Sequence, residues 1–268
     1  MSAVRLRFRV STPLPVDGRA LAPERLAGKS ANELAAIELL VGNRRLPLAE
    51  LAEITPGVRE ELVIEGAFAA LDRLGHGMTG GLLQIYGDVG AYLGQGMTGG
   101  RIELFGSAGV YAAAGMRGGV IHITANAGDF LAAALPGDGA GMLDGTVLVG
   151  GDVGDRIGDR MRRGLIAVHG CLGDYAASRM IGGTILALRG CGADPGFAMR
   201  RGSLLLGAPP PNLLATFADN GTHELPWLRL LTRVLAAQQP AFTLPILRVQ
   251  RWTGCASVGG KGELLVAA

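Results

Sequence analysis

Methionine is the residue type in this chain whose spacing first suggests chemistry. Apart from Met1 there are seven: Met78, Met97, Met116, Met142, Met161, Met180 and Met199, separated by 19, 19, 26, 19, 19 and 19 residues. A row of thioethers could hold a soft metal ion. Such a site needs neither identical spacing nor the glycine found three residues after each methionine: Gly81, Gly100, Gly119, Gly145, Gly164, Gly183 and Gly202. Another glycine stands twelve residues after the first six, at Gly90, Gly109, Gly128, Gly154, Gly173 and Gly192. Packing explains both features: flexible thioether chains fill an inner corner of a repeated coil, and glycines make its tight corners.

Other candidates are sparse. The histidines, His76, His122, His169 and His223, have no H-x-H or H-E-x-x-H partner. There is no G-x-S-x-G and no C-x-x-C. Cys171 and Cys191 follow Gly170 and Gly190, so they are expected to be stacked neighbours, buried as free thiols, the alternative being a redox pair. Gly28-Lys29-Ser30 suggests a phosphate loop, but Pro23 stands where that motif requires its first glycine. Asp88, Ser107, Asn126 and Asp152 share the tenth position after a methionine. They are expected to hydrogen-bond their own turns rather than bind a cation. His122 lies between two inward positions and is expected at the surface or facing a partner. Six arginines, Arg160, Arg162, Arg163, Arg179, Arg200 and Arg201, fall within two residues of a methionine. They should share one corner as a basic stripe. The stripe is either a solvated face or an interface for an acidic partner surface or anionic ligand.

What positions these residues is the period itself. A fixed repeat near 20 residues marks a solenoid, in which each coil buries its apolar face only against its neighbours. Position five after each methionine reads Leu83, Ile102, Ile121, Val147, Ile166, Ile185, Leu204, and position seven reads Ile85, Leu104, Ile123, Val149, Val168, Ala187, Leu206. Alternation places both sets on one face of a strand. The fold class expected is all-β: a right-handed parallel β-helix of about 19-residue coils, right-handed because parallel crossovers favour that hand. The one 26-residue step is a seven-residue insertion within DFLAAALPGDGAG, either a partner contact or a tolerated surface loop.

The chain divides into 1–60, 61–207 and 208–268. The first part is a small mixed α/β entry segment. Val4, Leu6, Phe8 and Val10 alternate with Arg5, Arg7 and Arg9 as a half-buried strand. Ser30 and Glu33 form a capping box for a short helix over 31–37, Gly42-Asn43 is a turn, and Thr55-Pro56-Gly57 punctuates the start of the repeats. The last part is a cap. A helix has Pro226 at its first position, with Trp227, Leu230, Leu231, Val234 and Leu235 at helical spacing through about Ala237, and should cover the open end of the solenoid. A strand-like LPILRVQRW and the glycine-rich SVGGKGELLV follow.

Composition agrees. Glycine numbers 44 of 268 residues, roughly double the usual share, without a collagen period. Net charge is +2, too small to argue for nucleic acid. No apolar run spans a membrane. Three cysteines without a signal peptide point to a reducing cytoplasm. Lys29 and Lys261 are the only lysines, a bias that suggests a GC-rich bacterial coding sequence.

The repeats GHGMTGG (75–81), GQGMTGG (94–100), AAGMRGG (113–119), GDRMRRG (158–164) and SRMIGG (178–183) resemble the coil of the C subunit of formylmethanofuran dehydrogenase. The same repeat occurs in the C-terminal domain of glutamate synthase. The entry segment LAGKSANEL…LLVGNRRLPLAEL and the tail GGKGELLV are also similar to that C subunit, apart from Gly254-Cys255 where Gly-Asp is expected. The resemblance implies a non-catalytic scaffold with no cofactor of its own. Its partners would be an amidohydrolase-like subunit, a formyltransferase subunit and a further subunit, with zinc and a methanofuran-type carrier on those partners. It fits the bacterial formyltransferase/hydrolase complex of one-carbon metabolism. Alternatives are the molybdenum or tungsten dehydrogenase of methanogens and a glutamate-synthase-type coil.

Overall fold

The structure, a computed structural model, describes residues 2–242 and 248–268. It is β-rich. The strands are β1 (Val4–Phe8), β2 (Val16–Asp17), β3 (Glu38–Val41), β4 (Arg44–Pro47), β5 (Ala52–Thr55), β6 (Glu61–Ala67), β7 (Leu71–Asp72), β8 (Leu82–Gly87) and β9 (Arg101–Phe105). They continue with β10 (Arg117–Ile123), β11 (Asp144–Val149), β12 (Leu165–Val168), β13 (Thr184–Ala187), β14 (Ser203–Leu206), β15 (Ala218–Glu224), β16 (Arg248–Gly254) and β17 (Gly262–Ala267). Helices are few: α1 (Pro23–Leu26), α2 (Ala31–Ala35), α3 (Leu48–Leu51) and α4 (Trp227–Gln238).

Thirteen strands form one mixed sheet in the order β15-β16-β17-β14-β13-β12-β11-β10-β9-β8-β6-β1-β5. Every pairing from β1 to β17 is parallel, and antiparallel pairing is confined to the two ends. Position five of each repeat pairs with position five of the next, as in Leu83↔Ile102 and Ile166↔Ile185. A second parallel row of bridges, Val89–Ala108–Ala127–Val153–Leu172–Cys191, repeats at the same interval. The inward face is the core: all seven repeat methionines and all residues at positions five and seven are fully buried. Each such aliphatic side chain contributes about 1.5–3 kcal/mol of burial.

The two sets of glycines do different things. Those at position three have positive φ, from +77° at Gly81 to +108° at Gly145. A Cβ at Gly164 would also lie 2.8 Å from the Met142 methyl, and one at Gly183 equally close to that of Met161. Each methionine therefore fills the space that the next repeat's glycine leaves. The position-twelve glycines have ordinary φ and serve close approach. A Cβ at Gly154 would meet the Asp129 carboxylate at 2.0 Å, and one at Gly173 would meet Asp155 at 2.3 Å. That carboxylate accepts from the backbone N–H one residue beyond the glycine, Asp155 N to Asp129 Oδ1 and Asp174 N to Asp155 Oδ1, both 2.8 Å.

The tenth-position polar row behaves in the same way, which corrects one expectation. Asp88, Asn126 and Asp152 accept from the N–H of the following repeat, at 2.7, 2.9 and 2.8 Å, and not from their own turns. A side chain stacked about 4.8 Å below an equivalent residue reaches that residue's N–H more directly than its own.

The entry segment follows its sequence except at two element ends: β1 stops at Phe8 and leaves Val10 exposed, and α2 stops at Ala35 rather than at residue 37. β1 alternates buried and exposed, α2 carries the Ser30–Glu33 capping box, and Gly42-Asn43 turns β3 into β4. The segment 46–54 ends β4 with Leu46 and Pro47, forms the one-turn α3 and runs into β5.

The C-terminal segment differs from expectation in two ways. First, α4 does not cover the end of the stack. Leu228, Leu235 and Phe242 pack on the outward face of the late strands, against Leu148, Ala167, Leu186, Leu205 and Leu265. The physical reason is that position six turns from polar (Gln84, Glu103, His122) to apolar in those repeats, leaving an outward patch that an amphipathic helix must cover. Second, the tail supplies another parallel strand. β17 pairs with β14, placing Leu264 beside Leu204 and Val266 beside Leu206, and Gly262 sits against the Met199 side chain. Of LPILRVQRW, residues 248–252 lie in β16, while 244–247 lie outside the described residues.

The cysteines also depart from expectation. Cys191 pairs with Leu172 rather than Cys171, because Gly170 and Gly190 are 20 residues apart and the repeat is 19. All three thiols are free. Cys171 is exposed, Cys191 half-buried and Cys255 buried.

Candidate functional site

The arginine corner is built by the turn that carries each methionine into the next strand. Arg160 and Arg179 precede their methionines, Arg162 and Arg200 follow them, and Arg163 and Arg201 come one residue later. Backbone hydrogen bonds lock the corner repeat by repeat: Arg162 N to Met142 O at 2.9 Å, Ile181 N to Met161 O at 2.8 Å, Arg200 N to Met180 O at 2.8 Å. Lys261 N donates to Arg200 O at 2.6 Å, so the tail strand continues the stack. The structure thus brings all six arginines to one corner. Arg162, Arg163, Arg200 and Arg201 are exposed; Arg160 and Arg179 are half-buried.

Two of the six have structural duties. Arg179 is paired through Nε (2.8 Å) and Nη2 with Asp159, a carboxylate only 3% exposed. Ser178 Oγ donates to the same carboxylate at 2.9 Å. This hydrogen-bonded pairing with Asp159 raises the pKa of Arg179 and keeps it charged. Arg160 Nη1 donates to Asp138 O at 2.9 Å. Asp138 belongs to the insertion, which the structure narrows to 135–141: Phe130 and Ala132 still hold the positive-φ turn geometry of the other repeats, and Ala134 N still bonds Asp159 O. The insertion is therefore a loop hooked onto the arginine corner.

Two depressions run along that corner. One, of about 350 Å³, is lined by Gly139, Arg160, Arg179, Ile181, Ala198, Arg200 and Val258. The other, of about 320 Å³, is lined by Arg162, Arg163, Ile181, Arg200 and Arg201. Guanidinium groups around such depressions can take carboxylate or phosphate oxygens in bidentate pairs.

Among the described residues no group of three or more His, Cys, Asp or Glu is placed to hold a metal ion. His122 is half-buried beside Phe242, Gln239 and His169; burial first, and then the Arg101 charge, lower its pKa. Burial pushes the Cys191 thiol up to about 12, far from thiolate chemistry.

One row escaped the sequence reading. Arg73, Tyr92, Tyr111, Phe130, Arg156, Tyr175 and Asp194 stack at equivalent turn positions, all with φ between +51° and +64°. Tyr92, Tyr111 and Phe130 stack ring on ring, and Arg73 and Arg156 lie over the Tyr92 and Tyr175 rings. The period-19 recurrence of aromatics before the methionine was the available signal.

No family model matches the chain. Among curated proteins it is similar to the C subunit of the formyltransferase/hydrolase complex Fhc of Methylorubrum extorquens, with 42% identity over 266 residues, covering 98% of this chain and 99% of the relative. Among solved structures it resembles a chain of the X-ray crystal structure of the formyltransferase/hydrolase complex (FhcABCD) from the same organism in complex with methylofuran. There the TM-score is 0.92 at 40% identity, covering 98% of this chain and 99% of the other.

Proposed function

The chain belongs to the C-subunit family of formyltransferase/hydrolase complexes, and from that premise we propose that it is a non-catalytic scaffold within such a complex. The complex moves a formyl group to a methanofuran-type carrier and hydrolyses it to formate. In this reading its partners are an amidohydrolase-like subunit, a formyltransferase subunit and a further subunit, working in the cytoplasm. Zinc and the carrier sit on those partners. The observation that carries membership is end-to-end similarity: 42% identity over 98% of the chain. The scaffold role is supported by how the polar groups are spent, with Asp72, Asp129, Asp155 and Asp174 each committed to a neighbouring N–H.

Two parallel rows at a 19-residue interval support reading the repeats as coils of a right-handed parallel β-helix, spanning 61–207 and extended by the tail. A rigid stack of this kind offers partners a fixed surface. The arginine corner is the part of that surface proposed for partner contact. Affinity purification of the tagged chain from its host tests the reading. Amidohydrolase-like and formyltransferase subunits should co-purify in fixed ratio, and zinc should appear only in the assembled fraction. Recovery of the chain as a lone monomer overturns it.

A further inference from the structure

What lies between the arginines is as informative as the arginines themselves. The first position after the methionine reads Arg162, Ile181, Arg200; the second reads Arg163, Gly182, Arg201. Lys261, whose N–H donates to Arg200 O and which is in register with Arg201, continues the second row. Two arginine pairs therefore stand two repeats apart, about 9.6 Å along the stack, over a floor of Ile181 and Gly182. This is the smaller depression. The larger one shares Arg200 and Ile181 with it and continues past Ala198 and Val258 to Arg160 and Arg179, under Gly139 of the insertion.

Most of this charge has no counterpart. Among the described residues, only Arg179 of the six arginines has a carboxylate at ion-pair distance, and Lys261 has none. Asp144, one repeat before Arg163, spends Oδ1 on Gly145 N at 2.8 Å. Stacking like charges costs free energy that a monomer has no need to bear. The floor also carries apolar surface: Val258 is 42% exposed, and Ile181 and Ala198 are half-buried.

We propose that the two depressions form one site for an extended acidic segment of a partner polypeptide, with carboxylates in the arginine pairs and an apolar side chain between them on Ile181, Ala198 and Val258. This rests on the assignment to a multi-subunit complex and names the chemistry of one partner contact. A free phosphate would fill one arginine pair and leave the apolar floor bare. A nucleic acid would call for aromatic stacking, and the lining has no aromatic ring.

The test uses the full chain and a fluorescein-labelled peptide, Ser-Glu-Glu-Leu-Glu-Glu-Ser, followed by anisotropy. The peptide should bind, and more weakly as salt rises. The double substitution Arg163→Gln/Arg201→Gln should weaken binding about tenfold or more. Arg44→Gln/Arg45→Gln, on the β3–β4 hairpin, should leave it unchanged. Replacing the peptide leucine with serine should weaken binding by about threefold to fivefold. Equal binding to the wild type and the Arg163/Arg201 variant, with unchanged melting, overturns the site. So does tighter binding of an oligothymidine, or full displacement by equimolar inorganic phosphate. Loss of peptide binding by the wild type while all subunits still co-purify sinks the site and leaves the scaffold reading intact. A lone monomer that still binds the peptide through these arginines sinks the scaffold reading alone.

Discussion

The early repeats, marked by Met78, Met97 and Met116, and the late ones, from Met142 to Met199, have the same interior and different exteriors. Inside, each has a buried methionine, two buried aliphatics and a positive-φ glycine. Outside, position six is Gln84, Glu103 and His122 early but Leu148, Ala167, Leu186 and Leu205 late. The early polar residues bond one another, Gln84 Nε2 and Arg101 Nε both donating to Glu103. The late apolar ones lie beneath α4. The turns differ as well. Gly77, Gly96 and Gly115 precede the early methionines, whereas Arg160 and Arg179 occupy the same positive-φ position late. Stacking constrains the interior of every repeat alike, because each must fit both neighbours. Exteriors meet only what happens to cover them, so they are free to specialise.

The interior should be intolerant wherever it is broken. Gly164→Val puts a β-branched side chain at φ +102°, against the Met142 methyl. It should cost about 3 kcal/mol or more in chemical denaturation, and Gly100→Val in an early repeat should cost as much. A large cost at one of the two positions with tolerance of valine at the other would break the idea of a shared interior.

Exteriors should separate the two halves. Leu186→Asp buries a charge beneath α4 and should destabilise by about 3 kcal/mol. Gln84→Asp, at the same repeat position, should change stability by less than about 1 kcal/mol. Thermal melting of the two variants side by side measures the contrast.

A smaller effect is expected from the aspartate row. Asp155→Ala removes the acceptor for Asp174 N and should cost about 1 kcal/mol. Asp155→Asn keeps an oxygen there and should cost about half as much or less, as Asn126 already fills an equivalent role.

The smallest expected effect is pH dependence at the boundary between the halves. Because His122 has a lowered pKa in the folded chain, the unfolded chain takes up its proton first as pH falls below the unfolded value of 6.5. Its stabilising contribution is present above that pH and is lost on acidification. His122→Gln should therefore flatten the decline in stability below pH 6.5. His76, whose pKa burial also lowers, should keep part of that slope in the variant.

The inner ladders and the shared corner of the six arginines were legible in the sequence, because both follow from counting in steps of 19. The capping box at Ser30 was legible because it is local. The tail strand was legible in principle: Gly262, Leu264 and Val266 repeat the spacing of Gly202, Leu204 and Leu206, without a methionine to mark it. The site was only partly legible. The hook from Arg160 to Asp138 and the buried pair of Arg179 with Asp159 depend on how a seven-residue loop lies over the turn, which no period specifies.

Residue order was therefore enough for everything that recurs: which residues face inward, where glycine is needed, and which side chains stack. A contact between residues one repeat apart is encoded by the spacing of like residues, so reading the spacing reads the contact. Where the non-repeating parts settle was decided only in the folded chain. α4 lies across the late strands rather than over the end of the stack because two apolar surfaces far apart in sequence complement each other there. That complementarity is a property of the assembled surface, and a single helix's pattern announces only that it must be covered.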